Sequence, residues 1–326
     1  MFEIIKPETH IDFMARRKLF IGFSISLLLI GLIAVPLRGI RTGIDFSGGT
    51  ELQLRFTGDA PVDEGGIRAV TAEFGLDNAD VVRFGVEGTR EFLVKFQGEL
   101  RPPGFDAAQE PGKELTPEER KAGLAAFESA LEAKLGPLEV DRVEFVGPKV
   151  GAELRRDGAL AMTVSWIAIL IYIAFRFSLS YAPGAVIGLI HDVLTTCGLW
   201  VLFGQPFDLQ VLAALLTLAG YSVNDTIVVY DRIRENLAVR TKLDLEKVVN
   251  DALNQTLSRT ILTGMTTLTA LLALITLGGP VIRPFATIMF IGIVIGTYSS
   301  LFVAAPIMIW MEQRRAMRGA PAAARA

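Results

Sequence analysis

Leu218-Ala-Gly-Tyr-Ser-Val-Asn-Asp-Thr-Ile-Val-Val-Tyr-Asp-Arg232 closes a long apolar run and holds a carboxylate, Asp225, inside it. A charge at that depth in a membrane costs roughly 2.5–3.5 kcal/mol on insertion scales. A chain that keeps one uses it for ion movement, for pairing, or for both. The stretch therefore reads as a transmembrane helix with a proton-handling group in a transporter-like bundle.

Composition agrees with a membrane protein. The chain has 326 residues, 51% of them hydrophobic, and a mean hydropathy of +0.43, well above what soluble domains show. The net charge is −3, unevenly spread. Between Arg41 and Asp157 there are 23 acidic and 15 basic residues, which leaves 12 acidic and 17 basic elsewhere. An acidic block between basic flanks suits compartments on opposite sides of a membrane and gives no footprint for nucleic acid. The single Cys197 excludes an intrachain disulfide framework and a CxxC metal site.

Working outward, uncharged runs at 19–37, 158–175, 260–282 and 284–311, with longer polar-interrupted segments at 183–207 and 209–230, predict six spans. The expected layout is residues 1–18 cytoplasmic, 19–38 the first helix, 39–152 a soluble domain, and 153–230 helices two to four. A polar loop with an amphipathic helix at 231–258, helices five and six at 259–312, and a basic tail at 313–326 complete it. The first run ends in Val-Pro-Leu-Arg38 rather than a small-residue cleavage site, which favours an uncleaved helix over a signal peptide. The basic clusters at the N-terminus, at 231–258 and in the tail all fall on one side, the cytoplasmic one, if there are six spans.

Residues 42–150 have soluble composition. Alternation predicts strands ending near Phe56 and at 81–86, 91–96 and 140–146, the middle two joined by a turn at 87–90. Helices are expected near 63–74 and from Thr116-Pro-Glu-Glu119, a capping signature. The order βαββαβ is the ferredoxin-like α+β unit. Gly48-Gly49 fits no nucleotide-binding spacing and reads as a tight turn or bulge before a strand.

Thr217, Tyr221, Asn224 and Asp225 share one helix face at i, i+4, i+7 and i+8. Arg259, Thr263, Thr266 and Thr267 repeat that spacing on the next span. Polar stripes at membrane depth must face protein or water. Asp225 and Arg259 thus form a candidate proton pathway, with Asn224, Tyr221 and Thr263 beside them. The alternatives are a static helix–helix contact for Asp225, and a structural ion pair or an arginine snorkelling to the interface for Arg259. His191-Asp192 interrupts the third span; it either extends a proton path or is a local hydrogen-bonded pair. Gly292-x-x-x-Gly296 offers a small-residue packing face.

Five segments carry a resemblance taken jointly: 43–50 (GIDFSGGT), 146–154 (VGPKVGAEL), 220–236 (GYSVNDTIVVYDRIREN), 254–260 (NQTLSRT) and 296–306 (GTYSSLFVAAP). In this order the chain resembles the SecF branch of the SecD/SecF family of bacterial protein-export membrane proteins, within the RND superfamily. The resemblance implies half of an RND-type transporter, working with a SecD-like protein beside the SecYEG channel on a translocating polypeptide in the cytoplasmic membrane. It implies late-stage export driven by the proton-motive force, with protons as coupling ion, no cofactor and no hydrolytic activity. The family's conducting Asp and Arg match Asp225 and Arg259. Other readings are a stand-alone efflux transporter, or an intramembrane aspartyl protease using Asp192 and Asp225. The latter lacks a Gly-x-Gly-Asp signature, since Val223-Asn224 precede Asp225.

Overall fold

A computed structural model describes residues 9–58, 60–76, 79–84, 89–105, 115–177, 181–239 and 244–319. Helix α1 (Arg17–Arg38) is followed by a single helical turn, α2 (Ile44–Ser47), and by the soluble domain: β1 (Gly49–Phe56), α3 (Glu64–Glu73), β2 (Asp80–Phe84), β3 (Glu91–Phe96), α4 (Pro117–Leu135) and β4 (Leu138–Val146). The four strands form one antiparallel sheet of order β2-β3-β1-β4, the topology expected of βαββαβ. The first half of the expected turn at 87–90 lies outside the described residues.

Local signals produced these elements. Asp63 caps α3, its carboxylate accepting from Gly66 N at 2.7 Å. Thr116 and Glu119 form a reciprocal capping box at α4, with Pro117 at the first helical position. Inward residues of the strands, Leu52, Leu54, Phe92 and Val94, meet Ile67 of α3 and Phe127 and Leu131 of α4 in one core. The Gly48-Gly49 turn is present. Gly48 has φ +78°, and a Cβ on Gly49 would lie 2.4 Å from the Phe96 carbonyl, so neither position accepts a side chain readily.

The membrane part adds α5 (Pro148–Arg176), α6 (Ala182–Leu202), α7 (Leu209–Val239), α8 (Leu245–Leu277), α9 (Gly279–Ser299) and α10 (Ala305–Gly319). Among the described residues six helices, with α9 and α10 counted as one span, are long and apolar enough to cross a membrane. Over the most apolar stretch of each, 61% of α6, 50% of α7 and 67% of α9–α10 is buried, against 17%, 11% and 17% for α1, α5 and α8. The first three therefore make the bundle core and the others its outer layer. Gly31 of α1 meets Gly198 of α6 so closely that a Cβ on Gly198 would sit 2.3 Å from the Gly31 Cα.

Three boundaries differ from expectation. The segment 231–258 is not a loop: α7 runs on to Val239 and α8 starts at Leu245. Arg232 and Asn236 of α7 share Gln255 of α8 at 2.6 and 3.0 Å, so two polar helix ends bind each other beyond the apolar spans. Helix α5 begins at Pro148, inside the block assigned to the soluble domain, because a proline at the first helical position starts it directly after β4. The last span is interrupted by a π-helical turn, Ser300–Ala304. Pro306 has no N–H to give the carbonyls of that turn, and separately the Tyr230 hydroxyl donates to the Ala304 carbonyl at 3.0 Å.

Candidate functional site

The site lies where α6, α7, α8 and α9 meet. Asp225 is 3% exposed on α7, about 9 Å along the helix from Asp231 at 1.5 Å per residue. Its Oδ2 is buried and has no hydrogen-bond partner among the described residues. Arg259 of α8 is close enough for its charge to act on Asp225, yet no ion pair joins them among the described residues. The guanidinium is exposed and lines an open cleft of about 920 Å³ with Asn224, Asp231, Arg232, Glu235 and Gln255. Thus Asp225 sits behind the wall of a polar cleft, and Asn224, its chain neighbour, forms part of that wall.

The two stripes do not lie flat against each other. On α7, Thr217 and Asn224 are exposed, Tyr221 is half-buried with its hydroxyl unpartnered, and Asp225 is buried. On α8, Arg259, Thr263 and Thr266 are exposed and Thr267 half-buried. The threonine hydroxyls donate to carbonyls of their own helix, Thr263 to Arg259 O at 2.9 Å and Thr217 to Ala213 O at 2.8 Å. Both stripes run along the open edge of the bundle at membrane depth.

His191 and Asp192 are brought to the core rather than to Asp225. Nδ1 of His191 lies 2.9 Å from Asp192 Oδ1, and Asp192 Oδ2 accepts from the Ser222 hydroxyl of α7. Asp192 is fully buried. Both of its oxygens are occupied, neither by Asp225, so the two carboxylates do not form a shared-proton dyad. Gly296 of α9 faces this pair, and a Cβ there would stand at ordinary contact distance, 3.5 Å, from both Asp192 Oδ2 and the Ser222 Cβ. Its helical neighbour in the small-residue pattern, Gly292, packs against Leu218.

Ser222 escaped sequence reading, as did a set of buried hydroxyls without partners: Thr195 and Thr196 on α6, Thr260 on α8 and Thr297 on α9. The first two carried a signal, since Asp192, Thr195 and Thr196 share a helix face at i, i+3 and i+4. Thr297 stands over Gly264 of α8. Unpartnered polar atoms therefore occur on all four helices around Asp192 and Asp225, where bound water satisfies such groups in other proteins.

The N-terminal end of α7 is tied to the segment that leads into the α+β domain. Asp45 Oδ2 of α2 accepts from Leu209 N at 3.0 Å, Gly43 N donates to Phe207 O at 2.6 Å, and Phe207 N donates to Arg41 O at 2.8 Å. Burial pushes the Asp208 carboxyl above its ordinary value, opposed by a hydrogen bond from Val211 N and the charge of Lys95, with nearby Asp45 adding to the rise.

Residues 126–314, more than half of the chain, match the family described as protein export membrane protein SecD/SecF, C-terminal, and residues 33–60 match the SecD/SecF GG motif. The chain belongs to the SecD/SecF family. The first match spans every membrane residue of the site above; the second contains Gly48-Gly49 and Asp45. Among curated relatives, the protein translocase subunit SecF of Calditerrivibrio nitroreducens is 37% identical over 321 residues, covering 96% of this chain and 98% of that one. The protein translocase subunit SecF of Magnetococcus marinus is 42% identical, covering 95% and 94%. Among solved structures, SecDF of Thermus thermophilus, described as a translocon-associated membrane protein, superposes with a TM-score of 0.77 at 34% identity. That match covers 95% of this chain but only 40% of the longer SecDF chain. The half-RND architecture and the multi-pass membrane assignment follow from this family membership and the six spans.

Proposed function

We propose that this chain is the SecF subunit of a bacterial protein translocase and assists late polypeptide export using the proton-motive force. In this reading Asp225 takes up and releases the coupling proton, and Arg259 sets its charge balance from the wall of the cytoplasmic cleft. The observation that carries the reading is the exposed polar edge. Thr217, Asn224, Arg259, Thr263 and Thr266 face outward at membrane depth, with an unpartnered carboxylate directly behind. The threonine hydroxyls bond carbonyls of their own helices, but lipid cannot satisfy Asn224, Arg259 or the free oxygen of Asp225. A second helical bundle must cover them, and a SecD-like chain supplies one, as the length of the SecDF relative supports. The channel SecYEG and the translocating polypeptide are the further partners, with the α+β domain outside the cytoplasm and both chain ends inside.

An open Asp225–Arg259 geometry supports proton exchange. A closed pair would hold the carboxylate ionised, because arginine stays charged. The bonds by which Gly43 N donates to Phe207 O and Asp45 accepts from Leu209 N support coupling, since they fasten the outer end of the proton-bearing helix to the segment leading into the soluble domain.

The test is Asp225→Asn, which keeps shape and removes the titrating group. Proton-motive-force stimulation of export into membrane vesicles should vanish while the complex with the SecD-like chain still co-purifies. Stimulation at the unsubstituted level would overturn the proton role. A lone chain that pumps protons in liposomes with an added small substrate would instead favour an efflux transporter.

A further inference from the structure

At the membrane end where α1 begins and α10 finishes, a groove of about 370 Å³ opens on the outer surface of the bundle. Its walls come from α1, α6 and α10. Arg17, Lys18, Trp310 and Gln313 line its outer part; Ile21, Ile187, Pro306 and Ile307 line the rest. Depth orders these residues. Ile21 lies one helical turn inward from Arg17 and Lys18, and Pro306 and Ile307 lie about one turn inward from Trp310 and about two from Gln313. The groove is therefore cationic and amide-bearing at the membrane surface and apolar one turn deeper. Ile187 and Trp310 are 46% and 48% exposed, so no other part of the described chain covers it.

The charges are unequal in what they leave free. Arg17 is ion-paired with Glu246 at 2.5 Å. Lys18 is exposed and makes no ion pair among the described residues. The Arg314 guanidinium is stacked over the Trp310 ring, 3.8 Å from its centroid. Stacking uses the face of a guanidinium and leaves its in-plane N–H donors available to an anion. Glu312, the acid nearest in sequence to this cluster, acts electrostatically on Tyr181 at the start of α6.

We propose that this groove binds the headgroup of an anionic phospholipid from the adjoining leaflet. Lys18 and Arg314 hold the phosphate, Gln313 supplies an amide, and the isoleucines and Trp310 line the start of an acyl chain. Basic pockets between helices at the membrane surface take acidic lipids in this way, and tryptophan is enriched at headgroup level. Free phosphate would satisfy the cations and leave the apolar half of the groove open. The proposal is independent of the proton role of Asp225.

The full-length chain, purified in mild detergent alone and with its co-purifying partner, is mixed with phosphatidylglycerol or phosphatidylcholine of identical chains. Retained lipid is counted by native mass spectrometry. Phosphatidylglycerol should be retained in preference, and the preference should fall about fivefold for each charge removed in Lys18→Gln and Arg314→Gln. Ile187→Trp, which fills the groove and keeps every charge, should also lower it. Lys247→Gln removes one charge at the same membrane end outside the groove and should leave it unchanged. An equal fall with Lys247→Gln would mean general attraction and would overturn the site. So would equal retention of both lipids, or full displacement by equimolar inorganic phosphate. Loss of all lipid preference once the partner is bound would show the groove to be a protein interface instead.

Discussion

Asp192 and Asp225 are both carboxylates inside a bundle, yet their surroundings set them different tasks. Asp192 has both oxygens occupied, by His191 and Ser222, whereas Asp225 keeps one oxygen free behind a polar cleft. A saturated carboxylate fixes helices; an unsaturated one can change partners. Ser222→Ala should therefore lower stability without abolishing assembly. Interhelical polar bonds in membranes are worth about 0.6 kcal/mol on average and 1.7 at most, so the loss should lie in that range. Thermal unfolding in detergent measures it; an unchanged melting temperature would mean that the Ser222–Asp192 bond contributes nothing. Asp225 was legible in the sequence because it interrupts an apolar run, and Arg259 because it opens the next span and heads a polar stripe with the same spacing. Ser222 was not, because a lone serine in a helix costs little and its importance comes from the residue opposite, thirty positions away in the chain.

At the scale of elements, α1 is held by contacts at its middle and its start. In the middle, Gly31 and Gly198 let two backbones touch. At the start, Phe13 and Met14 are buried, and Asn250 and Asn254 of α8 bond the backbone at Met14 and Ile11. Gly198→Leu forces a side chain against the Gly31 backbone and should separate α1 from α6. The cost is expected to be about 1–3 kcal/mol, the usual size of overpacking. Gly22→Ala on the same helix has open space around it and should be neutral or slightly stabilising. Melting temperatures of the two variants decide the point: equal effects would remove the close approach as the cause. The helices and strands themselves were readable from apolar period, from Thr116-Pro117 and from turn residues. The continuation of α7 and α8 through 231–258 was not, because their ends are polar and are stabilised by each other through Gln255 rather than by lipid.

Across the whole molecule, the α+β domain and the bundle are joined at the N-terminal end of α7. Asp45 accepts from Leu209 N there, which places an acid at a helix N-terminus, where it is favoured. Asp208 still caps α7 through Val211 N, so Asp45→Ala should cost about 0.5–1.5 kcal/mol as one lost hydrogen bond. Under the proposed function it should also reduce proton-motive-force stimulation of export while Asp225 and the partner complex remain intact. Full stimulation in a folded Asp45→Ala protein would show that this junction does not transmit motion.

Span number, charge asymmetry, the βαββαβ order and the two intramembrane charges were determined by the sequence alone, because lipid and water impose strong penalties residue by residue. Three things were decided only by the tertiary structure: which helices form the core, that Asp192 pairs with Ser222 while Asp225 stays open, and that α7 is bonded to the segment carrying Gly48-Gly49. Each depends on which surfaces meet. Close approach at glycines and hydrogen bonds between distant residues are properties of the packed bundle, and no local pattern along the chain encodes them.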